Sequence, residues 1–320
     1  MKRAVLLLGL ATAALALLVA HLLVPTDLLP RPDLAPLILL ELRLPRTLLA
    51  IGYGLSLGMA GAALQAIFAN PLASPDITGA SAGGALGAVT VAYLFGLSGP
   101  LWMAGGGALG AGLALLLLFV IAGRAAEPAR LLLAGLAIAL AAGSATALML
   151  ALAPSPYAFY DAWRWLMGSL VDRSLGQAAA ALVPALIACA LLWRDRRAYD
   201  LVALGEDVTA SLGIDPRGLA HRTMLLAAIA TGACVALCGA IGFVGLIAPI
   251  IARSLVRGHP GRAILPAGAM GAILLLFADL LVRLAPAGRD IPIGVITSLI
   301  GTPMFILLLM RLRGQAGGVR

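Results

Sequence analysis

LWMAGGGALGAGLALLLLFVIA, residues 101–122, carries no charged side chain, and its one polar atom on a side chain is the indole nitrogen of Trp102. As a helix these residues rise about 33 Å, enough to cross a hydrocarbon core about 30 Å thick. A chain that contains one such run and is otherwise polar could be a tethered soluble domain. This chain is not of that kind: 62% of its 320 residues are hydrophobic, 11% are charged and the mean hydropathy is +1.05.

Outward from this run, similar apolar runs fall at 4–24, 47–69, 78–97, 131–153, 176–193, 223–241, 243–257, 263–284 and 291–312. With 101–122 they predict an all-α polytopic bundle of about ten transmembrane helices, forming one permease-like domain over 1–320. Helices suit lipid because their backbone groups satisfy one another. The run at 243–257 is doubtful as a span, since 15 residues reach only about 22 Å. Glycines four apart (Gly54 and Gly58, Gly79 and Gly83, Gly83 and Gly87, Gly106 and Gly110) put small residues on one helix face and predict close helix contacts.

The charges predict an orientation. With ten spans and the N-terminus inside, Arg31, Arg43, Arg46, Arg164, Arg173, Arg283 and Arg289 fall outside, and the remaining fifteen of 22 basic residues fall inside. That excess obeys the positive-inside rule, so the net charge of +8 reports topology and requires no nucleic acid. Both termini are expected in the cytoplasm. The first run follows Met1-Lys2-Arg3 and, from Ala4 to Ala20, exceeds the apolar core of a cleaved signal peptide, predicting a retained anchor helix.

Several chemistries are excluded or weakened. A phosphate-binding loop needs a lysine, and the only lysine is Lys2, so ATP must be hydrolysed on another chain if it powers transport. Gly79-Ala80-Ser81-Ala82-Gly83 fits the G-x-S-x-G pattern of serine hydrolases, but it reads as the start of a membrane helix with no histidine near. Cys189, Cys234 and Cys238 read as small packing residues, with no metal site expected. The histidines (His21, His221, His259) are placed outside the spans. No catalytic residue or cofactor is expected. Asp279, an acid well inside a span, has Arg283 one turn later and is read as half of a structural ion pair, with a proton or cargo role as the alternative.

Two segments break the apolar pattern. PSPYAFYDAWRWLMGSLVDRSL, 154–175, is rich in rings and predicts an outer interfacial helix in contact with membrane lipid, or else an entrance for a large ligand. The polar segment 194–222, which ends in LVALGEDVTASLGIDPRGLAHR (201–222), predicts two capped helices on the cytoplasmic face. Leu204, Val208 and Leu212 form an apolar stripe, Glu206 and Asp207 lie in the first turn, and Gly213 suits a left-handed cap. Asp215 and Pro216 then start the second helix. This platform is either a docking surface or a structural lid.

These features, taken with LRLPRTLLA at 42–50, LQAIFANPLASPDITGASAGGALGAV at 64–89, LLLAGLAIAL at 131–140 and WLMGSL at 165–170, resemble one family. GAIGFVGLIAPIIARSLV at 239–256, LPAGAMGAILLLFADLLVR at 265–283 and DIPIGVITSLIGTPMFILLLMR at 290–311 extend the resemblance. The family is the permease subunits of binding-protein-dependent ABC importers for iron–siderophore complexes, haem and cobalamin. The resemblance implies a cobalamin-importer-type bundle in the bacterial inner membrane and a second permease subunit, identical or related. It also implies two copies of an ABC ATPase subunit and a periplasmic substrate-binding protein. It makes 203–221 the ATPase-coupling element, with Leu204, Gly205, Glu206, Asp207, Val208, Leu212 and Gly213 at the contact. It maps binding-protein docking onto Arg43, Arg46 and Arg289, for which anchoring to lipid phosphates is the alternative. Asn70, Ser81, Ser144 and Thr146 are candidates for the translocation path or gate, and ordinary helix–helix hydrogen bonding accounts for them equally. The favoured cargo is a ferric siderophore, with haem or cobalamin as alternatives, and a secondary carrier or membrane-embedded enzyme as rival classes.

Overall fold

A computed structural model describes residues 2–23, 34–97, 99–123, 127–285 and 291–316. Arg31, Arg124 and Arg289 lie outside the described residues. The helices in chain order are α1 (Lys2–Leu23), α2 (Ala35–Leu37), α3 (Leu44–Ile67), α4 (Ala80–Leu94), α5 (Pro100–Ala122), α6 (Pro128–Ala151) and α7 (Pro156–Leu166). Then follow α8 (Leu175–Arg194), α9 (Arg196–Val202), α10 (Glu206–Ser211), α11 (Pro216–Cys238), α12 (Val244–Leu255), α13 (Pro260–Arg283) and α14 (Ile293–Ala316). A π-helical stretch, Ile38–Arg43, joins α2 to α3, and a 3-10 turn, Pro75–Thr78, precedes α4. No strand occurs among the described residues.

Six helical stretches are long and apolar enough to cross a membrane: Ile38–Ile67, Pro100–Ala122, Pro128–Ala151, Leu175–Arg194, Pro216–Cys238 and Pro260–Arg283. Four shorter apolar ones are Ala14–Leu23, Ala80–Leu94, Val244–Leu255 and Ile293–Leu307. Each coincides with one of the runs expected from sequence. The doubtful run is indeed short: α12 has 12 residues, or about 18 Å of helix.

The bundle is built around α3, whose residues from Leu49 onward are almost all buried. Small residues allow this. A Cβ placed on Gly54 would strike the backbone of Gly271 in α13, one on Gly58 would strike Ala267, and one on Gly61 would strike Gly245 of α12. The predicted glycine spacing recurs where α4 meets α5, with Gly83 against Gly110 and Gly87 against Gly106. Helix backbones approach this closely only where no side chain intervenes. Gly79 has a different part: at φ +76 it turns the chain into α4.

The two ends of the bundle are distinguished by their polar contacts. At one, the loop carbonyl of Gly123 meets His221 Nε2 at 2.9 Å. Asp200 Oδ1 accepts the backbone N–H of Gly261, at the start of α13, at 2.9 Å. The other end of α13, 24 residues and about 36 Å away, holds Asp279 and Arg283.

The polar segment 194–222 folds differently from its expected pair of short helices. The expected first helix is α10, and the unexpected α9 precedes it within the same segment. The second is the beginning of α11, which runs unbroken from Pro216 into the apolar bundle. The cap signals read correctly: Gly213 has φ +80, and Asp215 Oδ1 accepts the N–H of Arg217 at 3.0 Å. Gly218, a poor helix former near the start, does not end the helix, because Leu219 and Ala220 beyond it are buried against the bundle and no proline follows.

Candidate functional site

The surface at the α9–α10 end is shaped by one buried threonine. The Thr209 hydroxyl is fully buried and lies 2.7 Å from Gly205 O and 3.0 Å from Leu201 O, tying α10 back to the end of α9. Gly205, at φ +108, supplies the bend between them. With Thr209 turned inward, Val208 on α10 and the leucines flanking the helix are open: Leu204 is 62% exposed, Val208 43% and Leu212 56%. Gly213 is exposed beside them; for Glu206 and Asp207 the structure describes the backbone position, in the first turn of α10.

At the opposite end lies a buried polar cluster. Asp279 is 1% exposed and accepts from three side chains. Arg46 grips it in a fork, with Nε 2.9 Å from Oδ2 and Nη2 2.9 Å from Oδ1. Arg283 Nε lies 3.0 Å from Oδ2, as the one-turn spacing suggested, and His21 Nε2 lies 2.7 Å from the same oxygen. His21 Nδ1 lies 2.7 Å from Thr47 Oγ1.

The same cluster fastens the end of α1. The last carbonyls of a helix have no partner within it. Here Leu22 O accepts Arg43 Nη1 and His21 O accepts Arg283 Nη1, both at 2.7 Å. Cations at a helix C-terminus also complement its dipole. Elsewhere α1 is loosely covered, with Leu15 61% exposed.

Two sequence readings change here. His21 is not outside the spans: it is fully buried in the last turn of α1, where a carboxylate and a hydroxyl satisfy both ring nitrogens. Sequence reasoning missed it because its partner is 258 residues away. The second concerns the expected docking arginines. Arg43 is 7% exposed and the Arg46 side chain 17%, and both point into this cluster rather than forming a free rim charge. Arg289 lies outside the described residues.

The path candidates separate into two groups. On α6, Ser144 is exposed, whereas Thr146 is buried and donates to its own helix at Ala142 O, 2.8 Å. Near the start of α4, Ser81 is 7% exposed, and half-buried Asn70 uses its side-chain oxygen to accept Leu72 N at 2.9 Å. Among the described residues no hydrogen bond joins the α6 pair to the other two. A groove of about 780 Å³ opens between α4, α5 and α6, but it is lined almost entirely by apolar side chains and by none of these four.

In the aromatic segment 154–175, Ser155 caps α7 by accepting Ala158 N at 3.1 Å. Tyr157 is 84% and Tyr160 54% exposed, while Trp165 turns inward at 8%. The helix thus offers some of its rings outward and anchors itself by others. Cys189, Cys234 and Cys238 are buried, free and packed among apolar side chains.

Comparison with known proteins gives this arrangement a family. The FecCD transport family matches residues 4–311. The vitamin B12 import system permease protein BtuC of Vibrio cholerae is 38% identical over 282 residues, 85% of this chain and 82% of that one. The Fe(3+) dicitrate transport system permease protein FecD of Escherichia coli is 36% identical over 277 residues, 86% of each chain. A solved transporter of the metal-chelate ABC type, in an inward-facing conformation, superposes with a TM-score of 0.85 at 28% identity, over 96% of this chain and 99% of that one. A helical bundle with membrane-spanning apolar helices, no phosphate loop and this match along nearly its whole length is an integral membrane protein. The chain belongs to the FecCD transport family, as a permease subunit of an ABC transporter, in which ATP hydrolysis sits on a separate subunit.

Proposed function

We propose that this chain crosses the bacterial inner membrane about ten times with both termini in the cytoplasm, and pairs with a second permease subunit. In this reading two ATPase subunits sit against α10 and the neighbouring ends of α9 and α11. A periplasmic binding protein delivers cargo at the end that holds Asp279. Counting α1, α4, α12 and α14 as spans is supported by their apolar composition and by the basic residues, which then fall mainly inside.

The observation that carries the coupling role is the exposed triplet Leu204, Val208 and Leu212, on and flanking a short helix outside the apolar spans. Three aliphatic side chains left open on a polar segment fit an apolar groove on a partner. The cytoplasmic partner that a permease without its own nucleotide site requires is the ATPase.

The favoured cargo is a ferric chelate. Its support is the ferric dicitrate permease among the relatives, the metal-chelate transporter among the solved structures, and the sequence of the NPLASPDITG and WLMGSL segments. The cobalamin relative supports the alternative of a different bulky chelate.

The test is ATP-driven uptake into vesicles containing the assembled complex, offered in turn a ferric siderophore, ferric citrate, haem and cobalamin. Uptake of the iron chelates is expected to dominate, and preference for haem or cobalamin would replace the cargo assignment. In the same vesicles Leu204→Asp and Leu212→Asp should abolish uptake while leaving the chain inserted, because a charge in an apolar groove is costly unless paired. Normal uptake and normal ATPase co-purification in both variants would remove α10 from the coupling role.

A further inference from the structure

His221 stands at the α10 end of the bundle, in the second turn of α11, and both of its ring nitrogens are engaged. Nε2 lies 2.9 Å from the carbonyl oxygen of Gly123, the residue that ends α5. Nδ1 lies 2.9 Å from the carbonyl oxygen of Arg217, one turn earlier on α11. The ring also stacks on Phe119 in the last turn of α5, with centroids 5.7 Å apart and planes 21° from parallel. This half-buried side chain thereby joins two helices across 98 residues of sequence. Every one of these contacts is made within the chain, so none depends on what covers its surface in the complex.

A carbonyl oxygen can only accept a hydrogen bond, and a neutral imidazole has one N–H to give. In either neutral tautomer the bare nitrogen would face an oxygen lone pair at 2.9 Å. Only the imidazolium donates to both. Two further features suit a cation here. Gly123 O belongs to the end of α5, where the last carbonyls have no partner inside the helix, and positive charge there complements the helix dipole. The ring face of Phe119 attracts a cation as well. The other charges nearby are largely paired. Arg217 lies 3.9 Å from Glu127, ahead of α6, and Arg222 lies 3.1 Å from Asp195, after α8. Arg130 on α6, Asp215 at the start of α11, and Glu206 and Asp207 on α10 complete the set, and the last turn of α5 brings no charge.

We infer that His221 is a cationic clamp between the end of α5 and the start of α11, and that the clamp opens when the ring gives up its proton. The proton is bound in the clamped state. The clamp is therefore complete at acid pH and is lost as pH rises through the range in which histidine side chains change charge, about pH 5–8. The start of α11 follows α10 directly, through Gly213 at φ +80 and the Asp215 cap. Releasing it from α5 loosens the platform that carries Leu204, Val208 and Leu212, and so weakens the hold on the ATPase as pH rises on that side. This last step rests on the coupling reading above, whereas the clamp itself does not.

Three measurements on the assembled complex test it. Nitrogen-15 histidine spectra, differenced against those of His221→Gln, isolate the ring at position 221. It should be protonated on both nitrogens at about pH 6 and neutral at about pH 9. A neutral ring at about pH 6 would overturn the clamp. In thermal unfolding, wild type should exceed His221→Gln at about pH 6 and the gap should close by about pH 9. His259→Gln, at an exposed position, should track wild type throughout. A gap that does not change with pH would likewise refute the clamp. The third readout is the amount of ATPase subunit retained when the chain is affinity-purified. The ratio of wild type to His221→Gln should exceed one at the lower pH and fall to one at the higher. Leu212→Asp separates the two readings. Retention that falls in Leu212→Asp but is equal in wild type and His221→Gln at both pH values would overturn transmission from the clamp to the platform. Retention unaffected by Leu212→Asp would remove the coupling reading, while the spectra and the unfolding gap still decide the clamp.

Discussion

At the residue scale, the most consequential group is Asp279. Its sequence neighbour Arg283 accounts for one of its partners, and the fold supplies the other two from α1 and α3. Two arginines and a histidine around a buried carboxylate leave little room for change, since the remaining charges would stay buried without their counter-charge. Removing one partner of a buried ion pair costs about 3–5 kcal/mol. Asp279→Asn should therefore lower the unfolding temperature of the detergent-solubilised complex substantially and expose the end of α1 to proteolysis. Wild-type Tm and an intact α1 in that variant would mean the cluster contributes little to stability. The geometry also shows why Arg46 is a poor residue with which to examine docking: reversing it would place a second carboxylate beside Asp279 and disturb the fold first.

At the element scale, α3 holds the bundle together because it has so little side chain. Gly54 and Gly58 admit α13 and Gly61 admits α12, so three helices approach at backbone distance. Gly271 is the reciprocal position on α13, where an added Cβ would meet Gly54 O. Gly271→Val should force the helices apart. Overpacking a well-filled interior costs about 1–3 kcal/mol, more when backbone must move. Folded yield and Tm should both fall, whereas Gly112→Val, at an open position on α5, should leave both near wild type. Equal behaviour of the two variants would refute the close-packing account. The element most misjudged from sequence was the second short helix after Gly213. Its start was legible in Asp215 and Pro216, but its length was not, because the polar stretch 217–222 and the apolar stretch after it have the same helical backbone.

At the scale of the whole molecule, the two ends present different surfaces to partners: exposed aliphatic side chains on and beside α10 at one, and a basic cluster drawn inward at the other. Docking of a binding protein is then proposed to rest chiefly on Arg289, with Arg43 and Arg46 holding the rim in shape. Arg289→Glu should weaken binding-protein association and its stimulation of ATP hydrolysis, more at low than at moderate salt, while basal hydrolysis persists. Identical affinity at both salt concentrations would leave Arg289 with the lipid-anchor role.

The sequence by itself determined the helical membrane class, the positions of the apolar runs, the glycine spacings that became helix contacts, and the capping residues around α10. These are local properties, set by hydropathy over about 20 residues or by geometry within one turn. Only the tertiary structure decided which polar groups meet and at what depth they lie. His21 and Asp279 pair across 258 residues, Arg46 turns inward because that carboxylate is there to receive it, and the turn before α4 packs between α6 and α12 because Gly135 and Gly245 leave space for it. Hydropathy registers how apolar a segment is but not which neighbour replaces the water around a buried charge, and that neighbour is fixed only when distant helices pack.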